Sequence, residues 1–217
     1  MASAPDPRLA RVRASIRVIP DWPKPGILFQ DITTLLLDPL AYKACCDLLV
    51  ERYTSHKLDV IVGFESRGFF FGPPIALALG LPFVPLRKPK KLPGAGVERL
   101  CTPPTPLTLT PPFPPPGPTL SEKYSLEYGE DALEMHVGAI QPGQRVLLVD
   151  DLIATGGTLA AGARLVRAAG GEPVEACAII ELPELNGRSK LKGLDIFCLL
   201  EIEGTEPPVH EDGDTKI

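Results

Sequence analysis

Residues 145–166 read RVLLVDDLIATGGTLAAGARLV, and three kinds of segment succeed one another there. Residues 145–149 read as a buried strand, with an unbroken apolar run at 146–149 that is too short for a helix. Asp150 and Asp151 stand at its exit. Ala154, Thr155, Gly156, Gly157 and Thr158 form a turn of small residues, and residues 157–169 have the pattern of a helix. A strand that passes into a helix through such a turn is half of a βαβ unit. It predicts a parallel sheet with helices packed on it.

The same stretch predicts an anion site. The first amides of a helix lack partners within it and lie at the positive end of its dipole. Gly156 and Gly157 let the backbone approach closely, and the hydroxyls of Thr155 and Thr158 add donors. A phosphate is the natural guest. Adjacent carboxylates would repel a polyphosphate, yet they accept well from a vicinal diol. A ribose 5-phosphate satisfies both halves, with its phosphate in the turn and its 2- and 3-hydroxyls on Asp150 and Asp151. The turn has neither the Gly-Lys-Ser/Thr of a Walker loop nor the GxGxxG of a dinucleotide site.

Further strands and helices alternate on either side. Residues 40–53 read as a helix, 58–63 as a buried strand and 68–79 as a helix with Pro73-Pro74 in its first turns. Strands follow at 83–86, 123–128 (edge-type), 174–180 and 195–200. Leu9, Val12 and Ile16 recur at helical spacing, so the Arg-bearing start is read as an amphipathic first helix rather than a transit peptide. The expected fold class is α/β, a central mostly parallel twisted sheet flanked by helices. Ligands in such sheets bind at the carboxyl ends of the strands.

Composition bounds the function. A chain of 217 residues with 44% apolar and 23% charged residues supports one sizeable core. A net charge of -5 argues against a dedicated nucleic-acid or membrane surface. Five cysteines, Cys45, Cys46, Cys101, Cys177 and Cys198, include no CxxC pair. They read as small packing residues of a reducing compartment, with the cytoplasm as default. His56, His136 and His210 fit no triad or metal spacing.

The 26 prolines are more than twice the usual share of about 5%. Nine fall in residues 95–120, a density that sustains neither helix nor central strand. That stretch is expected to be a flexible loop. It is also the composition that a translated polypyrimidine tract from a retained intron would give. Residues 205–217 are expected to fray, which leaves 1–204 as a single domain.

The segment VLLVDDLIATGGT closely resembles the phosphoribosyl-diphosphate signature of the type I phosphoribosyltransferases. Four further pieces resemble their adenine-specific branch: IPDWPKPGILFQDITTLL (19–36), FESRGFFFGPPIALALG (64–80), RKPKKLPG (87–94) and EKYSLEYG (122–129). The resemblance implies a small N-terminal hood over the sheet and a long mobile catalytic loop. It implies transfer of phosphoribose from phosphoribosyl diphosphate to adenine, giving AMP and pyrophosphate, by a homodimer. Mg²⁺ is the implied cofactor, held mainly by substrate and water. Two alternatives stay open: a non-catalytic regulator that senses phosphoribosyl diphosphate, and a transferase for another base.

Roles follow residue by residue from that resemblance. Glu65, Ser66 and Arg67 lie in a turn of unusual peptide geometry that faces the diphosphate. Arg87, Lys88 and Lys91 engage the pyrophosphate, with weaker support for Lys90. Phe29 stacks on the base while the backbones of Leu28 and Gln30 read its edge. Some relatives carry a basic residue at position 30, so a charged side-chain role is not carried over. Glu127 acts as general acid/base and Tyr128 closes over the site. Relatives join KLPG to the EKYSLEYG segment with only a few residues, whereas here residues 95–120 intervene. About 20 extra residues should cost only about 1–2 kcal/mol of stability. The fold is expected to survive, with depressed turnover.

Overall fold

The computed structural model describes residues 6–93, 118–126 and 129–203. Helix α1 (Pro7–Ser15) is capped by Asp6, whose carboxylate accepts the Arg8 N–H at 2.9 Å. Strands β1 (Arg17–Pro20) and β2 (Leu28–Asp31) then pair antiparallel and form the expected hood. Helices α2 (Thr33–Leu37) and α3 (Pro39–Tyr53) follow. Asp38 caps α3 by accepting the N–H groups of Leu40 and Ala41, and Pro39 fits the first helical position, which needs no donor.

The remaining elements are β3 (Val60–Phe64), α4 (Gly72–Leu79), β4 (Phe83–Leu86), β5 (Thr119–Leu126), β6 (Gly129–His136), β7 (Arg145–Ile153), α5 (Gly157–Ala168), β8 (Glu172–Glu181) and β9 (Asp195–Glu201). Five of them make the central sheet in the order β4-β3-β7-β8-β9, and every pair in it is parallel. β5 and β6 form a separate antiparallel ribbon. The sheet therefore is the one expected, with its carboxyl ends all on one rim.

Alternation along the strands makes two cores. Val60, Val62 and Phe64 of β3 join Leu159, Leu165 and Val166 of α5 on one face. Ile61 joins Leu49 of α3 and Ile75 of α4 on the other. Leu133 and Met135 of β6 sit in the first core, so the ribbon shares the α5 face. Each such fully buried aliphatic side chain contributes about 1.5–3 kcal/mol. Cys45 and Cys177 are buried among the apolar residues of the second core and are free thiols.

Several boundaries differ from expectation. The helix expected over 68–79 is split into a 3-10 turn, Arg67–Phe70, and α4. Pro73 and Pro74 have no N–H to donate backward, so the helix must restart just before them. β7 runs through Ile153 rather than ending at Val149, because its pairing with β8 continues to Ile153 and Glu181. Asp150 and Asp151 are thus inside the strand. β6 was not expected. β5 begins at Thr119, so the last residues of the proline-rich stretch are strand. The rest of that stretch, to residue 117, and the tail from 204 lie outside the described residues. Among the described residues no helix is long and apolar enough to cross a membrane.

Candidate active site

The turn after β7 is shaped by glycine. Gly156 caps α5 in the left-handed region at φ 72°, and no side chain caps the helix. A Cβ at Gly156 would lie 2.3 Å from the carbonyl oxygen of Gly187, and one at Gly187 would lie 2.3 Å from that of Ala154. The turn is braced from behind by bare backbone. On its other side Ala154, Thr155, Gly156, Gly157 and Thr158 line a cavity of about 490 Å³. The amides at the head of α5, without a side-chain cap, suit an anion there.

Asp150 and Asp151 line the same cavity. Asp151 is 4% exposed and Asp150 half-buried. The Asp151 N–H donates to Asp150 Oδ1 at 2.9 Å. Arg67 Nε lies 2.9 Å from Asp151 Oδ2, an ion-pair distance without hydrogen-bond alignment. Burial pushes the Asp150 carboxyl well above the ordinary carboxylate range, and the charge of Asp151 adds to this. Burial raises Asp151 too, against the opposing pull of Arg67. Such a pair gains when donors or positive charge arrive beside it, which a sugar diol and a cationic sugar ring both supply.

Two cations, Arg67 and Lys88, line the same cavity. The peptide between Glu65 and Ser66 is cis, the unusual geometry that the resemblance implies. Glu65, Ser66 and Arg67 carry β3 to the cavity, which Lys88 also lines. Arg87 Nε donates to Glu65 Oε2 at 2.8 Å, and the Lys88 N–H donates to the same oxygen at 2.9 Å. The Arg87 guanidinium holds the Glu65 carboxyl below its usual range. Lys88 Nζ is 3.1 Å from Asp131 Oδ2 on β6. Arg67, Arg87 and Lys88 are therefore each paired with a carboxylate. Lys91 is exposed, and the Lys90 N–H donates to Glu134 at 3.1 Å.

The hood reaches this rim through Phe29, whose ring centroid lies 5.9 Å from the Arg67 guanidinium and 6.2 Å from the Trp22 ring. Leu28 is half-buried. Gln30 is 2% exposed, and its side-chain amide donates to the Leu28 carbonyl at 3.1 Å. Glu127 and Tyr128 lie outside the described residues. Besides the apolar Leu152, Ile153 and Leu159 of the lining, three residues of the site escaped the sequence reading. Tyr124 lines the cavity and donates its hydroxyl to Asp131 at 3.3 Å. Asp131 itself and the bracing Gly187 are the others. Alternation of Asp131, Leu133 and Met135 with their neighbours was the available signal for β6; nothing in the sequence singles out Gly187.

Residues 31–210 match the phosphoribosyl transferase domain family. Adenine phosphoribosyltransferase 1 of Triticum aestivum is 54% identical over 200 residues, covering 92% of this chain and 98% of its own length. The crystal structure of adenine phosphoribosyltransferase from Thermoanaerobacter pseudethanolicus superposes with a TM-score of 0.76 at 43% identity, covering 89% of this chain and 99% of that one. The Saccharomyces cerevisiae adenine phosphoribosyltransferase, complexed with D-2,5-dideoxy-2,5-imino-altritol 1,6-bisphosphate and adenine, superposes at 0.74 with 37% identity over 89% of this chain and 99% of that one.

Proposed function

The chain belongs to the phosphoribosyl transferase domain family, and on that premise we propose its chemistry: it is an adenine phosphoribosyltransferase of purine salvage. Adenine and 5-phosphoribosyl 1-diphosphate become AMP and pyrophosphate. The observation that carries this reading is one cavity in which an uncapped glycine turn, the paired Asp150 and Asp151, and the cations Arg67 and Lys88 meet.

A ring nitrogen of adenine attacks the anomeric carbon while the bond from that carbon to the diphosphate oxygen breaks. Positive charge grows on the sugar and negative charge on the leaving group, as in glycoside chemistry. The turn at 154–158 holds the 5-phosphate and fixes the sugar. Asp150 and Asp151 bind the 2- and 3-hydroxyls, and their ionised form is favoured as the ring becomes cationic. Arg67, Arg87, Lys88 and Lys91 neutralise the departing diphosphate. Phe29 stacks on the base, with the Leu28 and Gln30 backbones at its edge. Glu127 takes the proton the base loses, and Tyr128 covers the site.

Mg²⁺ supplies further neutralisation of the diphosphate when bound. Among the described residues no three His, Cys, Asp or Glu side chains gather as a metal cage. The carboxylates present, Asp150 and Asp151, suit an ion carried mainly by substrate oxygens and water. We assign the cytoplasm as location and a homodimer as the working form. The exposed Leu37, Leu40 and Leu77 of α2, α3 and α4 support a covered face.

The test is a panel of bases offered with phosphoribosyl diphosphate and Mg²⁺ in a spectrophotometric assay. Adenine is expected to react alone among adenine, hypoxanthine, guanine and orotate. Turnover of another base in preference to adenine would overturn the assignment, and binding without turnover of any base would favour a sensor. Phe29→Ala removes the stacking ring and is expected to raise the KM for adenine about tenfold, in line with stacking energies of about 1–3 kcal/mol per base. The KM for phosphoribosyl diphosphate should stay within twofold.

A further inference from the structure

Asp131 lies on β6, far in sequence from the cations of 87–91, yet its carboxylate meets Lys88 at 3.1 Å. Backbone bonds bring them together. The Arg87 N–H donates to the Glu134 carbonyl at 3.0 Å and the Glu134 N–H returns to the Arg87 carbonyl at 2.7 Å. The Lys90 N–H adds a bond to the Glu134 side chain. This clamp sets the segment against β6 whether or not Asp131 is present. What Asp131 adds is charge, placed on the one described lysine that lines the cavity.

The carboxylate is built in rather than loose. Oδ1 accepts the Ala132 N–H at 2.8 Å and Oδ2 accepts the Tyr124 hydroxyl at 3.3 Å. Its side chain is 19% exposed, against 54% for that of Lys88. Asp131 is thus anchored by two further bonds, and Lys88 is the more exposed partner of the pair. A diphosphate bound at Lys88 would have to draw Nζ away from that anion.

We propose that Asp131 is a positioning residue that competes with pyrophosphate for Lys88, weakening product binding and so aiding release. This rests on the reading of Lys88 as a diphosphate contact. A half-exposed ion pair is a modest competitor, so its removal should tighten binding by about two- to fivefold. The step is an exchange of ion pairs, with no covalent change.

The test is calorimetric binding of magnesium pyrophosphate to the full chain and to Asp131→Asn, Lys88→Met and the double variant. Asparagine keeps the shape and the acceptor for Ala132, so folding should be retained. Asp131→Asn is expected to bind pyrophosphate about two- to fivefold more tightly, Lys88→Met about tenfold more weakly, and the double variant like Lys88→Met alone. Unchanged or weaker binding by Asp131→Asn, with Lys88→Met weakened, would overturn the competition. Equal tightening in the Lys88→Met background would overturn it as well, since the effect would then be general charge. If Lys88→Met binds as the parent does, the reading of Lys88 fails, and the competition with it.

Discussion

Replacing Asp150 and Asp151 together by asparagine is expected to lower kcat/KM about a thousandfold or more. Removal of one well-placed electrostatic contact typically costs about 3 kcal/mol of barrier. The two carboxylates act on one sugar, so their losses will not simply add. Asparagine keeps the shape of the cavity and can still accept from the hydroxyls; what it lacks is the negative charge that balances a cationic ring. Turnover within a few-fold of the parent would refute the assignment. Steady-state kinetics in both substrates decides it.

The same burial predicts an opposite effect on stability. The folded-state pKa of Asp150 is raised above the ordinary carboxylate value, chiefly by burial. Between the ordinary value and the raised one, the folded chain holds a proton that the unfolded chain has released. Stability is therefore lost as pH rises through that window. Asp150→Asn has nothing to ionise there and leaves the Arg67–Asp151 pair in place. Thermal melts are expected to show the variant gaining on the parent as pH is raised from about 4 to 8, while its activity falls. A constant difference across pH would contradict this.

Gly187→Ala is expected to reduce kcat/KM about a hundredfold without adding charge or touching substrate. The new Cβ would meet the Ala154 carbonyl at 2.3 Å, Ile153 Cγ2 at 2.8 Å and the Gly156 nitrogen at 3.1 Å. Two of these are backbone atoms of the phosphate turn, so the turn itself has to shift. Overpacking of this kind costs about 1–3 kcal/mol, and misplacement of a reacting group by about 1 Å costs about a hundredfold in rate. The loss should appear with phosphoribosyl diphosphate, in KM and kcat, while adenine binding changes little. Parent-like kinetics would mean that the brace is ornamental.

The residues that line the cavity floor were legible because they are local. Strand, aspartates, turn and helix lie within residues 145–166, and each residue type has a physical reason to be there. The sheet was legible for a similar reason: β3, β4, β7, β8 and β9 are short apolar runs between turn signals. Contacts made across the chain were less so. Gly187 reads as an ordinary loop glycine until its carbonyl is found against Gly156. Asp131 reads as a solvated acid until the Arg87–Glu134 bridge sets it beside Lys88. β6 was hidden by its polar residues, although Leu133 and Met135 alternate into the core. Proline set the split before α4, and pairing with β8 lengthened β7; neither follows from a propensity of the segment alone.

The central claim is a division of labour within one cavity, and a crystal structure of the protein with bound ribose 5-phosphate tests it most directly. The phosphate is expected on the amides and hydroxyls of residues 154–158, and both ring hydroxyls on Asp150 and Asp151. A sugar phosphate bound elsewhere, or oriented with its hydroxyls away from the two aspartates, would contradict the account.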